Sequence, residues 1–243
     1  MSLLVGCAGW SLPKDRITSF PLTGTHLQRY ASQFNAVEIN SSFYRPHRKS
    51  TYQRWADSTP SDFRFSVKLP KQISHLNRLA DSELELDQFL DETSGLGAKL
   101  GAILVQLPPS LNFKVAIMER FFRELRGRTD TPIVCEPRHA TWFGTEAEYL
   151  LIEYAIDRAA ADPSVVPKAA DPGGAAKNLY FRWHGSPRMY YSAYDQTALH
   201  QLATRVLARA GLLNDAWCIF DNTAIGAAID NASTFREIVK HLG

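Results

Sequence analysis

Glu38, Lys68, Glu136, Arg182 and His184 each stand near the end of a short run in which every second residue is apolar. Val37 and Ile39 flank Glu38 and leave Asn40 beyond it, while Phe65 and Val67 flank Ser66 and leave Lys68. Leu179, Phe181 and Trp183 alternate with Tyr180, Arg182 and His184, and Gln106 and Glu136 follow Leu104 and Val134 by two positions. A strand sends alternate side chains to opposite faces, so the polar members share one face and gather at C-terminal strand ends. There Glu38, Glu136 and His184 can exchange protons, while Lys68 and Arg182 can hold an anionic group. The same acids and bases can also neutralise one another as a buried network that needs no substrate, with His184 as a hydrogen-bonded structural histidine.

Three further clusters carry potential. Phe43-Tyr44-Arg45-Pro46-His47-Arg48-Lys49 mixes aromatic and basic residues after the second strand. Such a loop can stack on a base and touch phosphate, or can be a solvated surface loop. Glu136-Pro137-Arg138-His139 puts a carboxylate, a guanidinium and an imidazole in one turn, with Trp142 and Phe143 following. Asp221-Asn222-Thr223 ends the last strand, with Gly226 and a helix expected near Ser233 after it; backbone amides at such a place can bind phosphate or simply close a turn.

Other chemistries have weak support. Glu38, Glu136, His139, Asp162, His184 and Asp221 are scattered without HxH or HExxH spacing, and Lys68 and Arg182 would repel a divalent cation, so no metal is expected. No cofactor is expected either, because Gly6-Cys7-Ala8-Gly9 leads into Trp10 rather than into a GxGxxG turn and helix. There is no GxSxG, and Cys7, Cys135 and Cys218 lie inside strand-like runs, where buried free thiols are expected. A retaining glycosidase would need paired carboxylates after the fourth and seventh strands, where this chain offers Gln106 and Arg182-Trp183-His184.

Positioning these residues requires a repeated strand and helix pattern. Strands are expected at Leu3 to Cys7, Ala36 to Asn40, Phe63 to Leu69, Ala102 to Leu107, Ile133 to Glu136, Asp157 to Ala161, Leu179 to His184 and Trp217 to Phe220. Helices are expected at Thr25 to Phe34, Thr51 to Asp57, Glu83 to Thr93, Val115 to Leu125, Glu146 to Tyr154, Thr197 to Ala210 and Ser233 to Leu242. The sixth helix is missing, replaced by a Pro-, Gly- and Ala-rich loop from Asp162 to Lys177. Strict alternation implies parallel strands, and eight within this length imply a TIM-like (β/α)8 barrel spanning residues 1–243 as one domain.

With 243 residues, 27 Lys+Arg and 25 Asp+Glu, the formal charge is only +2. No global field favours nucleic acid, so such binding would rest on the local patch of Tyr44, Arg45, Arg48 and Lys49. No apolar run approaches a membrane span and the N-terminus lacks a leader pattern, so a cytoplasmic protein without membrane contact is expected.

The chain resembles the YecE-like proteins, whose domain has no assigned function. The likeness runs end to end, on Gly6-Cys7-Ala8-Gly9-Trp10, Val37-Glu38-Ile39-Asn40-Ser41-Ser42-Phe43-Tyr44, Phe65-Ser66-Val67-Lys68-Leu69-Pro70 with Ile73-Ser74-His75, and Gln106-Leu107-Pro108-Pro109. It continues through Glu136-Pro137-Arg138-His139, Arg182-Trp183-His184-Gly185 and Phe220-Asp221-Asn222-Thr223. The resemblance implies a TIM-like barrel and brings no substrate; the Asp162 to Lys177 interval departs from it in its proline and alanine content. The leading expectation is a small anionic or phosphorylated ligand at the C-terminal rim. Catalytic candidates are Glu38, Glu136 and His184; binding candidates are Asn40, Tyr44, Lys68, Gln106, Arg138, His139, Arg182, Asp221 and Asn222. The alternatives are a nucleic-acid or phosphodiester-processing protein and a non-catalytic ligand sensor.

Overall fold

The computed structural model describes residues 2–14, 16–209 and 214–242. In chain order the elements are β1 (Ser2–Cys7), α1 (His26–Ala31), β2 (Ala36–Ile39), α2 (Ser41–Tyr44), α3 (Lys49–Asp57), β3 (Arg64–Lys68), α4 (Glu83–Thr93), β4 (Leu100–Gln106), α5 (Val115–Arg128) and β5 (Ile133–Glu136). They continue with α6 (Thr145–Glu153), β6 (Ile156–Arg158), β7 (Ala160–Asp162), β8 (Gly173–Gly174), β9 (Leu179–Trp183), α7 (Gln196–Leu207), β10 (Asp215–Phe220) and α8 (Ala227–Leu242). The backbone ladders form two sheets, ordered β1-β10-β9-β7 and β2-β3-β4-β5-β6-β8, with every pair parallel except the short β6/β8 contact.

The two sheets meet along both borders. On one side the chain passes directly from β6, paired with β5, to β7, paired with β9, and Ala159 between them donates to Cys135 O. On the other, side chains join β1 to β2. Asn35 accepts from Val5 N and donates to Leu3 O, while the Tyr30 hydroxyl accepts from Cys7 N and donates to Ala36 O. Above them Gly9 N reaches Glu38 O, beside a single parallel bridge between Ala8 and Glu38. Gly6 makes this approach possible, since a Cβ there would lie 1.9 Å from Ala36 O. The alternating pattern of the strands thus reports their faces correctly, but a polar side chain can replace the backbone partner along a ladder.

Outward positions such as Val37, Ile39, Phe65, Val67, Phe181 and Trp183 join the large core under the helices. Inward positions form a second core from Leu4, Ala36, Ala102, Leu104, Val134, Ala159, Tyr180, Trp217 and Ile219. Tyr180 stacks on Trp217 at 5.7 Å between centroids, and Gly101 leaves room for the indole, whose Cζ2 would lie 2.6 Å from a Cβ there. Small residues on one side thereby accept bulky aromatics from the other, filling the space below the polar layer.

Several boundaries differ from the sequence expectation. The sixth strand is split in two, because its residues serve different sheets. The Phe43 to Lys49 loop is shorter than expected: α2 takes up Phe43 and Tyr44, and Lys49 already opens α3. The last helix begins at Ala227, not near Ser233, since Ala228, Ile229 and Ala232 are buried on its inner side with Phe235. The seventh helix ends at Leu207, and the expected end at Ala210 falls outside the described residues. The Asp162 to Lys177 stretch holds a short 3₁₀ turn, Pro167–Ala170, and β8 where a sixth helix would lie. Buried Arg158 donates to Lys168 O and Asp171 O, and Glu148 accepts from Gly174 N, fixing that stretch against α6.

If the β1/β2 border depends on the bridging hydroxyl, Tyr30→Phe leaves Cys7 N–H and Ala36 C=O without their partner and lowers stability by about 1–3 kcal/mol. Gly127→Ala in α5 meets nothing within 4 Å and is expected to gain about 0.5–1 kcal/mol. Urea unfolding of both variants checks the pair, and a Tyr30→Phe midpoint equal to wild type would contradict the bridge.

Candidate functional site

The inward ends of β2, β5, β9 and β10 converge on Arg182, which is 1% exposed. Its Nε donates to Glu38 Oε2 at 2.9 Å and its Nη2 to Glu38 Oε1 at 2.6 Å. The same Nη2 reaches Asp221 Oδ2 at 3.0 Å, and Nη1 reaches Glu136 Oε2 at 2.5 Å. One planar guanidinium therefore ties three carboxylates from three strands. Glu38 Oε2 also accepts from the Tyr180 hydroxyl at 2.9 Å, and the Ser66 hydroxyl lies 2.8 Å from that same tyrosine oxygen. A tyrosine has one proton to give; with Glu38 taking it, Ser66 is the donor in the second bond.

Arg138 and His184 extend the network. Arg138 pairs through Nε with Glu136 Oε1 and reaches His184 Nε2 through Nη2 at 2.6 Å. A guanidinium only donates, so His184 Nε2 accepts, and its Nδ1 carries the proton toward Asp221 Oδ2 at 2.9 Å. Both ring nitrogens are thereby occupied in a fully buried imidazole. The ring of Tyr190 stands edge-on to His184 at 5.9 Å, held by a left-handed backbone (φ 68°) and a bond from its N–H to His184 O.

The electrostatics follow from burial and pairing. Burial alone would push the Glu136 carboxyl up, but Arg138 and then Arg182 hold it well below the usual carboxylate range. Asp221 is likewise lowered against its burial, by Arg182 and by the bond from His184. Burial would favour loss of the Arg182 proton, and Glu136, Glu38 and Asp221 reverse this, so the guanidinium stays charged. Lys68 behaves differently. Burial and then Arg182 push its ammonium down to about 8, against the opposing pull of Glu38, Asp221 and Glu136. Its side chain forms no ion pair or hydrogen bond among the described residues; its Nζ rests 4.1 Å from the centre of the Phe43 ring, which also meets His75 at 4.8 Å and Tyr44 at 5.0 Å.

The structure thus brings together Glu38, Lys68, Glu136, Arg138, Arg182, His184 and Asp221. Asn40 closes β2 with its Oδ1 buried and unpartnered. Gln106 turns its amide to Leu107 O, and His139 caps the following turn through Thr141 N, so neither bonds to the cluster. Asn222 holds Ser192 O and Asn231, tying the loop after β9 to α8. Tyr44 is 79% exposed and lines an adjoining groove of about 360 Å³ that Phe43, Arg45, Lys71, Glu85 and Glu92 also line. Arg45 and Arg48 are exposed, and Lys49 is paired with Asp91 at 2.8 Å. The pocket of about 380 Å³ at the start of α8 is lined by Gly9, Leu12, Pro13, Thr223 and Gly226 among others, none of them charged. Among the described residues no group of three or more His, Cys, Asp or Glu could hold a metal ion, and the three cysteines are buried thiols raised by burial.

Sequence reasoning placed Tyr180 on the inner face without a role, and it passed over Phe43, His75 and Tyr190 as neighbours of the site. Alternation with Arg182 was the available signal for Tyr180. For Tyr190 there was none, because a loop conformation places it.

Glu136 and Asp221 are more acidic folded than unfolded, so the unfolded chain takes up protons first as pH falls through the ordinary carboxylate range. The stability they contribute is present at neutral pH and lost on acidification toward their folded pKa values. Urea unfolding at pH 7 and in the acid range should show this loss. Arg182→Met strands three buried carboxylates and should lower stability by about 3–5 kcal/mol, with Arg182→Lys a poor substitute for the fork. A near-neutral Arg182→Met would contradict the hub.

The model of the family described as "Protein of unknown function DUF72" matches residues 4–242. The UPF0759 protein YecE of Escherichia coli (strain K12) is 31% identical over 147 residues, 60% of this chain, and that match spans about half, 52%, of YecE. The UPF0759 protein YunF of Bacillus subtilis (strain 168) is 25% identical over 98% of the chain and 94% of its own length. Among solved structures, a DUF72 family protein from Thermotoga maritima superposes with a TM-score of 0.83 at 22% identity, covering 99% of this chain and 100% of that one. A xylose isomerase-like TIM barrel/4-hydroxyphenylpyruvate dioxygenase fusion protein gives 0.53 at 14% identity, over 98% of this chain and 42% of the other. These structural likenesses speak for the fold alone: an α/β architecture of parallel sheets with TIM-barrel neighbours. With its family model matched almost from end to end, the chain belongs to the DUF72 family, whose function is unknown.

Proposed function

We propose that the cluster at the C-terminal strand ends is a binding site for a small anionic molecule, a carboxylate or phosphate monoester. The observation that carries this reading is which polar atoms are already used. Glu38, Glu136 and Asp221 are each bonded to internal cations, and Arg182 directs four of its five N–H groups to them. Among the described residues, Lys68 Nζ and Arg138 Nη1 meet no acceptor, and neither belongs to the sealed, unpartnered atoms of the interior. Cationic donors left over beside saturated carboxylates suit an incoming anion.

In this reading Arg182 and Asp221 shape the site rather than grip the ligand. Glu38, Glu136 and His184 fit the part of direct proton carriers poorly, since each is fully buried and held by at least two partners. They act by setting the field around Lys68, the group best suited to carry a proton near neutral pH. The same two donors would serve an enzyme or a ligand sensor. The exposed loop of Tyr44, Arg45 and Arg48 is less favoured for nucleic acid, because Glu85 and Glu92 line the same groove.

We also propose that the two sheets are arcs of one (β/α)8 barrel forming a single domain. Continuity of the chain through Ala159, the Asn35 and Tyr30 contacts between β1 and β2, and the TIM-barrel neighbour support it.

Thermal-shift measurements at low ionic strength with inorganic phosphate and oxalate test the site. A ligand at 100 times its dissociation constant stabilises by about 2.7 kcal/mol, and the gain should vanish in Lys68→Met and Arg138→Met. Lys68 is more protonated unfolded than folded between about pH 8 and its ordinary range, so it adds stability only as pH rises through that window. Lys68→Met should therefore be at least as stable as wild type at neutral pH while losing the anion response. Equal stabilisation in wild type and Lys68→Met, or none by any small anion, would contradict the proposal.

A further inference from the structure

Lys68 has a feature that anion binding does not require. A lysine meant only to attract a negative group works best as a fully protonated ammonium, held so by a nearby carboxylate. Here three carboxylates lie within electrostatic reach of Lys68, yet all are paired with Arg182 and its neighbours, and the amine is left against an aromatic face. It is 9% exposed at the last position of β3, with its Nζ against the Phe43 ring. A desolvated amine beside another cation, at the edge of a cluster in which Arg138 pairs with Glu136, is the arrangement of a nucleophilic lysine.

We propose that Lys68 condenses with the carbonyl carbon of a small anionic aldehyde or 2-oxo acid, forming an imine while Arg138 receives the anionic group. The inference rests on the anion-binding reading and deepens it by naming the substrate class. The lone pair of the neutral Lys68 amine forms a C–N bond to the carbonyl carbon, and the C=O π pair moves to oxygen. A proton passes from nitrogen to that oxygen, giving a carbinolamine. A second proton transfer lets the C–O bond break and water leave, so amine plus carbonyl becomes imine plus water, with no oxidant or reductant consumed. Protonated, the imine withdraws electrons from the adjacent carbon, as lyases and isomerases of carbonyl compounds require.

The surroundings suit each part. His75, held below its ordinary range to about 4 by burial, Lys68 and Lys71, is neutral at pH 7 and leaves the lysine without a competing hydrogen-bonded acid. Arg182 opposes protonation of Lys68, while Glu38, Asp221 and Glu136 favour the cationic iminium once it forms. A lysine titrating near 8 holds a free-amine fraction at neutral pH roughly two orders of magnitude above that of an ordinary lysine.

The test uses the full chain with glyoxylate and sodium cyanoborohydride at neutral pH, followed by peptide mapping. Reduction of the imine leaves a carboxymethyl group on the reacting lysine. The expected result is carboxymethylation dominated by Lys68, suppressed by oxalate and absent at that position in Lys68→Arg, which keeps the charge but offers no amine. Modification spread over exposed lysines, or no preference for Lys68 beyond that of urea-unfolded protein, would overturn the inference. Oxalate thermal shifts on the same samples separate the two claims. Stabilisation without trapping refutes the imine and leaves the anion site standing, whereas absence of both refutes the anion site as well.

Discussion

Arg182 is the constraint from which the rest of the site follows. A guanidinium buried to 1% exposure must be matched by acceptors, and Glu38, Glu136 and Asp221 supply them from β2, β5 and β10. Its planar fork requires those carboxylates at fixed angles, so the strands that carry them are held in relation to β9. The three acids are satisfied without a ligand, and they in turn fix Tyr180, Arg138 and His184. A buried ionic network of this kind is weak evidence for stability, since apolar replacements can be as stable. Its value here lies in geometry: it sets a rigid, polar floor under the groups that reach solvent.

What remains above that floor is cationic. Lys68 sits outside the paired set and loses proton affinity to burial and to Arg182. Arg138 gives two of its nitrogens to Glu136 and His184. The field between them is made by charges already paired with one another, which is how a buried ionic network can tune a group at its edge. Tyr190, held in a left-handed conformation against His184, places an aromatic ring over the same network.

Much of this was legible in the sequence, and the legible part has one physical source. Strict alternation along Leu179 to His184, and shorter versions at Glu38, Lys68 and Glu136, fixed the inward faces, because a residue slip would bury every charge under the helices. The absence of a sixth helix was visible in the prolines and glycines after Asp162. Alternation could not reveal pairing, however. Arg182 reads equally as a ligand-binding cation and as a member of a self-pairing network, because nothing local decides whether distant carboxylates consume its donors, and Lys68 reads as its equal for the same reason. His139 and Gln106 shared the right strand ends, yet a local backbone bond captured each side chain. The β1/β2 border was hidden because Tyr30 and Asn35 lie outside both strands. The start of α8 was missed because its first turn is rich in alanine, which gives little contrast to a periodic pattern.

Lys68 stands outside the ion pairs that tie Glu38, Glu136 and Asp221 to Arg182 and Arg138, and in the anion-binding proposal an incoming anion restores its charge. NMR titration of the Lys68 ε-methylene, assigned by comparison with Lys68→Arg and recorded with and without oxalate, tests it most directly. The account predicts a free-protein transition near pH 8 that moves upward when the anion binds, because a negative neighbour favours the ammonium. A transition in the ordinary lysine range, unmoved by oxalate, would contradict it.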